Sequence, residues 1–137
     1  MIDRRTLLTA LPASTLALAT AGSSIPSDPI LEHYREWLSA KNDWERLSNI
    51  PGNEDWEWPE SIAAEKRADA ALAAIIDLTP SSLEGIAAMV HILWYLEGPV
   101  MRPGTPDHDE EMTWKGNRAM LAIWRAASGS KGFPHVI

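Results

Sequence analysis

The sequence predicts an all-α fold: a small four-helix bundle-like domain preceded by an N-terminal leader segment. Apolar residues recur at helical spacing in stretches near 28–48, 60–78, 80–97 and 107–128. Cap-and-proline pairs stand at Asp28-Pro29, Thr79-Pro80 and Thr105-Pro106, where helices start. Clusters of Pro and Gly separate the stretches. A length of 137 residues suits one domain, 22–137, behind a leader at 1–21.

The first segment has the layout of an export signal. Arg4-Arg5 is its positive end, and Thr6 to Thr20 is mildly apolar and rich in Ala, Leu and Thr. Ala17-Leu18-Ala19 and Ala19-Thr20-Ala21 are small-x-small candidates for cleavage. Arg4-Arg5 followed by Thr6-Leu7-Leu8 looks like a twin-arginine leader. Asp3 stands where such leaders usually carry Ser or Thr, Thr9 stands where Lys is frequent, and Pro12 would bend a helical middle. The resemblance implies export of a folded chain to the periplasm, with Arg4 and Arg5 engaging the export machinery. The competing expectation is a cytoplasmic protein whose N-terminus is never removed.

Asp28 and Pro29 then open an amphipathic helix. Ile30, Leu31, Tyr34, Trp37, Leu38 and Trp44 share one face, and Glu32, Arg35, Ser39, Asn42, Asp43 and Arg46 the other. The aromatic residues on the apolar face read as core. His33 and Glu36 share a helix face, but no second such pair completes a carboxylate metal site.

Asn49 to Asn53 is a turn cluster leading into Glu54-Asp55-Trp56-Glu57-Trp58-Pro59-Glu60. Two tryptophans among acids on a loop make Trp56 and Trp58 candidate contact residues for a sugar face or a partner. The competing expectation is that they fold back as a plug on the bundle's open end. In the Ala-rich helix that follows, Ala64, Ala68, Leu72, Ile75 and Ile76 form the expected buried stripe. The short link Leu78-Thr79-Pro80 predicts antiparallel pairing with the next helix.

The stretch Thr79 to Glu97 is the most apolar of the four. Leu83, Ile86, Met89, Val90 and Leu93 form its stripe, widened by Ile92, Trp94 and Leu96. Such a helix is central and buried. It is too short to span a bilayer, which takes about 20 apolar residues. Its one polar strip is Glu84, His91 and Tyr95, a candidate acid–imidazole–phenol site. The plainer expectation is a strip that reaches solvent or a satisfied hydrogen bond.

After a Pro- and Gly-rich connection, Thr105-Pro106 opens the last helix, with Asp107, Asp109, Glu110 and Glu111 in its first turns. The helix dipole accounts for this acidic cluster. A cation site on Asp107, His108, Asp109 and Glu111 lacks the pattern of a calcium loop. Met112, Gly116, Asn117, Met120, Ile123, Trp124 and Ala127 form the expected inner face, with Glu111 and Lys115 paired outside and Gly129 as the stop. In the tail, Phe133 or Ile137 is expected to dock.

Composition removes several functions. The net charge of −7 argues against a nucleic-acid partner. The chain has no Cys, which excludes disulfides, thiol catalysis and Cys-held metals. No phosphate loop, dinucleotide fingerprint, zinc-protease helix or nucleophile elbow occurs. Haem ligation by His91 and a methionine is chemically conceivable in a bundle, but no cofactor is expected from one core histidine.

Asp3-Arg4-Arg5, the segment Asp28-Pro29-Ile30-Leu31 through Trp37, and Thr79-Pro80-Ser81-Ser82-Leu83-Glu84-Gly85-Ile86 carry a resemblance. The layout resembles a group of short proteins of unknown function from alphaproteobacteria and their prophages. The resemblance implies the leader and the helical architecture, and no activity. The expected function is therefore binding of a protein or small molecule by an exported helical protein, with Trp56, Trp58, Glu84, His91 and Tyr95 as candidate contacts. The alternatives are a cytosolic prophage or accessory protein, and a small periplasmic enzyme or cofactor carrier around Glu84, His91 and Tyr95.

Overall fold

A computed structural model of the chain describes residues 27–135. The expected leader and the Ile137 docking site lie outside the described residues. Within them the fold is all-α, with five helices in order: α1 (Pro29–Ser48), α2 (Pro59–Ile76), α3 (Leu83–Glu97), α4 (Pro106–Glu111) and α5 (Lys115–Ser128). None is long and apolar enough to cross a membrane.

The start of α1 is as the sequence predicts. Asp28 accepts a hydrogen bond from the Ile30 N–H at 3.1 Å, and Pro29 occupies the first turn. The other carboxylate oxygen of Asp28 reaches across to α3. It accepts from the Ser81 N–H at 2.8 Å, the Ser82 N–H at 3.0 Å and the Ser82 hydroxyl at 2.8 Å. Ser82 in turn accepts from the Gly85 N–H at 2.9 Å and caps α3. This moves the helix start from the expected Thr79-Pro80 to Leu83. Ser81 and an extended Ser82 are spent on meeting Asp28.

One carboxylate thus serves two helix N-termini, which places α1 and α3 side by side in the same direction. The contacts climb both helices in step: Asp28 to Ser82, Tyr34 to His91, Trp37 to Tyr95 and Lys41 to Tyr95. Burial alone would raise the Asp28 pKa. The hydrogen bonds from Ser81, Ser82 and Ile30 outweigh it and hold the carboxyl below its usual value.

The helix pairs in closest contact are α1–α2 and α3–α5, with α1 also against α3. The antiparallel α2–α3 pair expected from the short link is therefore not the main packing. α2 instead lays Ala68, Ala71 and Ile75 against Trp37 and Ala40 of α1, in a core that Ala88 and Ile92 of α3 complete. Alanines on the meeting face let the helix axes approach closely. Ile76, expected in the stripe, is 57 % exposed. Asn53 stitches the α1–α2 loop shut. Its amide donates to the Leu47 carbonyl at 2.9 Å and to the Ser61 hydroxyl at 2.8 Å, and its oxygen accepts from the Trp58 N–H at 3.2 Å.

The rotation of α3 differs from the expected stripe. Gly85, Ala87, Ala88, Val90, His91, Ile92 and Trp94 are buried, whereas Leu83, Leu93 and Leu96 are exposed. A helix apolar on every side carries no periodic signal for its inner face. The choice is made by close approach at Gly85, where a Cβ would lie 1.9 Å from Asp28 Oδ2.

The last expected helix is two. Glu111 turns inward and accepts from the N–H groups of Val100 and Met101 at 3.2 and 3.0 Å, so it closes the preceding loop instead of pairing with Lys115. Its carbonyl accepts from the Asn117 amide at 2.9 Å and the Trp114 N–H at 3.1 Å, and the chain bends there before α5 begins. Asn117, Met120 and Leu121 of α5 are buried, while the expected inner residues Gly116 and Ile123 are exposed. Met120 and Leu121 meet Val90 and Trp94 in a second small core.

Trp37 is 1 % exposed and belongs to the larger core. Trp37→Ala is expected to lower the free energy of unfolding by about 3–5 kcal/mol, read from urea denaturation. A loss below about 1 kcal/mol would show that the core does not close on this ring.

Candidate functional site

Among the depressions beside α1, one receives His91 of the candidate strip of α3 and another receives Tyr95. The deeper in chemical content lies between α1, α3, α5 and the C-terminal tail. It is a cleft of about 360 Å³ lined by Tyr34, Leu38 and Asn42 with Glu45, His91, Trp124 and His135. Tyr34, Leu38, Asn42 and Glu45 line one side of α1 at spacings of three and four, so a single helix supplies one wall.

His91 is the floor and is 3 % exposed. Its Nδ1 meets the Tyr34 hydroxyl at 2.6 Å and its Nε2 meets the His135 carbonyl oxygen at 2.7 Å. A carbonyl only accepts, so Nε2 carries the N–H; neutral imidazole then leaves Nδ1 to accept from the Tyr34 O–H. Burial pushes the His91 pKa below its ordinary 6.5 against the opposing hydrogen bond to His135, and burial raises that of Tyr34. The pair is a neutral donor–acceptor couple with both imidazole nitrogens engaged. The rings of Trp37 and Trp124 enclose it, with centroids 5.7 and 5.8 Å from that of His91.

Trp124 lines the cleft. Its Nε1 is buried and has no hydrogen-bond partner among the described residues. A buried donor left unpaired costs about 1–3 kcal/mol. The tail holds the far side. Phe133 packs on Trp94 and His108, Pro134 is buried, and the His135 carbonyl follows.

The second depression, about 300 Å³, is lined by Lys41, Trp44, Glu65, Ala68, Asp69 and Tyr95. Lys41 donates to the Tyr95 hydroxyl and lies 4.4 Å from the ring centroid. Trp56 packs on Trp44 at 5.4 Å between centroids. Trp56 is 52 % exposed and has a left-handed φ of 61°, a conformation that costs a non-glycine residue about 1–2 kcal/mol. Its charged groups are solvated, so this groove lacks an unmet buried group.

The candidates from sequence are thus separated. Trp58 folds back, half-buried, with its Nε1 donating to the Gly52 carbonyl at 3.0 Å. Trp56 stands beside the second groove and Tyr95 lines it. Glu84 is exposed in the first turn of α3. The hydrogen-bond partners of His91 are Tyr34 and His135 rather than Glu84 or Tyr95. Tyr34 and Trp124 read as core residues in the sequence, and His135 as irregular tail. The register of α1 on α3 brings Tyr34 to His91, and the packing of α5 and the tail on α3 brings Trp124 and His135. Asp107, His108, Asp109 and Glu111 do not converge, and no group of three or more His, Asp or Glu able to hold a metal ion occurs among the described residues.

No family model, characterised relative or solved structure matches the chain.

The depressed His91 pKa has a signed consequence. The unfolded chain takes up the proton first, so the contribution of His91 is whole above about pH 6.5 and is lost as pH falls from there toward the lower folded value. Denaturation midpoints are expected to fall between about pH 7 and pH 5, and the slope to flatten in His91→Gln. An equal slope in both proteins would place the titration elsewhere.

Proposed function

We propose that this chain is an exported, non-catalytic helical protein that takes up a small molecule in the cleft between Tyr34, His91 and Trp124. The observation that carries the reading is the cleft itself, which gathers Tyr34, His91 and Trp124 with Leu38, Asn42 and Glu45 around one space. The volume of about 360 Å³ lies within the range of small-molecule sites. Binding is favoured over catalysis because both His91 nitrogens are engaged, which leaves no free base at the cleft floor. Export is supported by Arg4-Arg5, the mild apolar segment and the small-residue cleavage sites. A folded cargo would reach the periplasm with its cleft already formed.

Native mass spectrometry of the protein recovered from separated periplasm and cytoplasm tests both parts. The expected species is periplasmic, shortened near Ala19 or Ala21, and carries a small-molecule mass that Leu38→Trp, which fills the cleft, abolishes. An adduct that persists in a folded Leu38→Trp protein, or none in either, contradicts the binding reading. A full-length cytoplasmic species that Arg4→Lys/Arg5→Lys leaves unchanged contradicts export and favours the cytosolic accessory alternative.

A further inference from the structure

The outer face of α3 is apolar. Ile86 and Met89 on it are half-buried, and Leu93 and Leu96 are 42 and 45 % exposed. The four stand at spacings of three, four and three, so they form one stripe along the helix. Val90, Ile92 and Trp94, between them, are buried in the two cores. The stripe ends in unmatched charge. Glu97 closes α3, is exposed and has no ion-pair partner among the described residues. The last turn of α3 carries no basic residue, so the negative end of its dipole is also unmet. An occupant of this face needs an apolar stripe of the same spacing, with positive charge at the end that meets Glu97.

A second copy of the chain is the poorer occupant. Ile86 to Leu96 covers about 15 Å of a helix about 10 Å wide, a footprint far below the about 800 Å² per partner of a stable interface. Each copy also carries a net charge of −7. A tethered segment needs no such area, because its high effective concentration offsets the cost of association.

The described residues begin at Ser27, and Asp28 is held at the start of α3 by Ser81 and Ser82. The preceding segment therefore meets the stripe at its N-terminal end. In that segment Leu8, Leu11, Thr15 and Leu18 repeat the spacing of three, four and three, and Arg4-Arg5 stand before Leu8. Laid back along α3, the segment pairs Leu18 with Ile86, Thr15 with Met89, Leu11 with Leu93 and Leu8 with Leu96. Arg4 and Arg5 then reach Glu97. Residues 19–27 extend to about 30 Å, enough for the reversal. Pro12 removes one backbone donor and bends the segment, but it is none of the four pairing positions.

We propose that residues 8–18 dock on the α3 stripe of their own chain, antiparallel to α3, with Arg4 and Arg5 at Glu97. Docking of this kind belongs to the uncut chain and uses no residue of the cleft. Removal of the leader would bare the stripe.

The chain has no Cys, so introduced cysteine pairs report the docking in the purified uncut protein. Under mild oxidation, Leu11→Cys/Leu93→Cys and Leu18→Cys/Ile86→Cys are expected to form a disulfide within one chain at least about tenfold faster than the reversed pair Leu18→Cys/Leu96→Cys. Arg4→Glu/Arg5→Glu is expected to slow the Leu11→Cys/Leu93→Cys pair, and Glu97→Arg to restore it. Leu93 and Glu97 are exposed, so this pair and its charge swap carry the test even where Ile86→Cys fails to fold. Equal rates for the direct and reversed pairs, no disulfide within the chain, or charge substitutions without effect would overturn the proposal. Disulfide-linked dimers of Leu93→Cys that form faster than the bond within one chain would overturn it in favour of a second copy.

Discussion

The Asp28 carboxylate is the joint on which the architecture turns. One oxygen caps α1 and the other gathers the two backbone N–H groups and the hydroxyl that precede α3. An anion at two helix N-termini is stabilised by both dipoles as well as by its hydrogen bonds. This accounts for a buried carboxylate, 4 % exposed, that keeps a lowered pKa. Its contribution is present above its ordinary pKa of 3.8 and is lost only as pH falls through the still lower folded value. The joint also sets the register of α1 on α3, and register is what a cleft between helices needs.

From that register the aromatic cluster follows. Tyr34 meets His91, Trp37 lies edge-on between His91 and Tyr95, and Lys41 covers Tyr95. His91 and Tyr95, neighbours on one helix, both pack edge-on against Trp37 and line different depressions. α5 and the tail then close the His91 side. Trp124 comes from the pairing of α5 with α3, and the His135 carbonyl from the docking of Phe133 and Pro134. The cleft is therefore assembled from α1, α3, α5 and the tail, while α2 supports α1 from behind through Ala68, Ala71 and Ile75.

The fold class was legible because helical periodicity and caps are local signals. The start of α1 at Asp28-Pro29 and its apolar face at Ile30 and Trp37 are as the sequence predicts. The rest failed where a distant group decided. Thr79-Pro80 has the form of a helix start, yet Asp28 from 53 residues earlier holds Ser81 and moves the cap to Ser82. The acidic first turns at Asp107 to Glu111 fit one helix, yet Glu111 is drawn into the loop at Val100 and Met101. The inner face of α3 was undetermined because Leu93 and Leu96 are as apolar as Val90 and Ile92. Gly85, which has no side chain to count, made the choice. The site was half legible: His91 stood out as a polar residue in an apolar helix, while Tyr34 and Trp124 looked like ordinary core.

A mutant cycle on Asp28 and Gly85 tests the joint most directly. Gly85→Ala would place a Cβ 1.9 Å from Asp28 Oδ2, so in the unaltered protein it should lower stability in urea despite alanine's helix propensity. In an Asp28→Ala background both contacts to Asp28 are gone and only the Ser82 Oγ, at 3.2 Å and freed from Asp28, has to give, so Gly85→Ala should be neutral or stabilising by up to about 1 kcal/mol. That reversal of sign is the predicted result. The same effect of Gly85→Ala in both backgrounds would contradict it, and the register that builds the cleft would have to be set elsewhere.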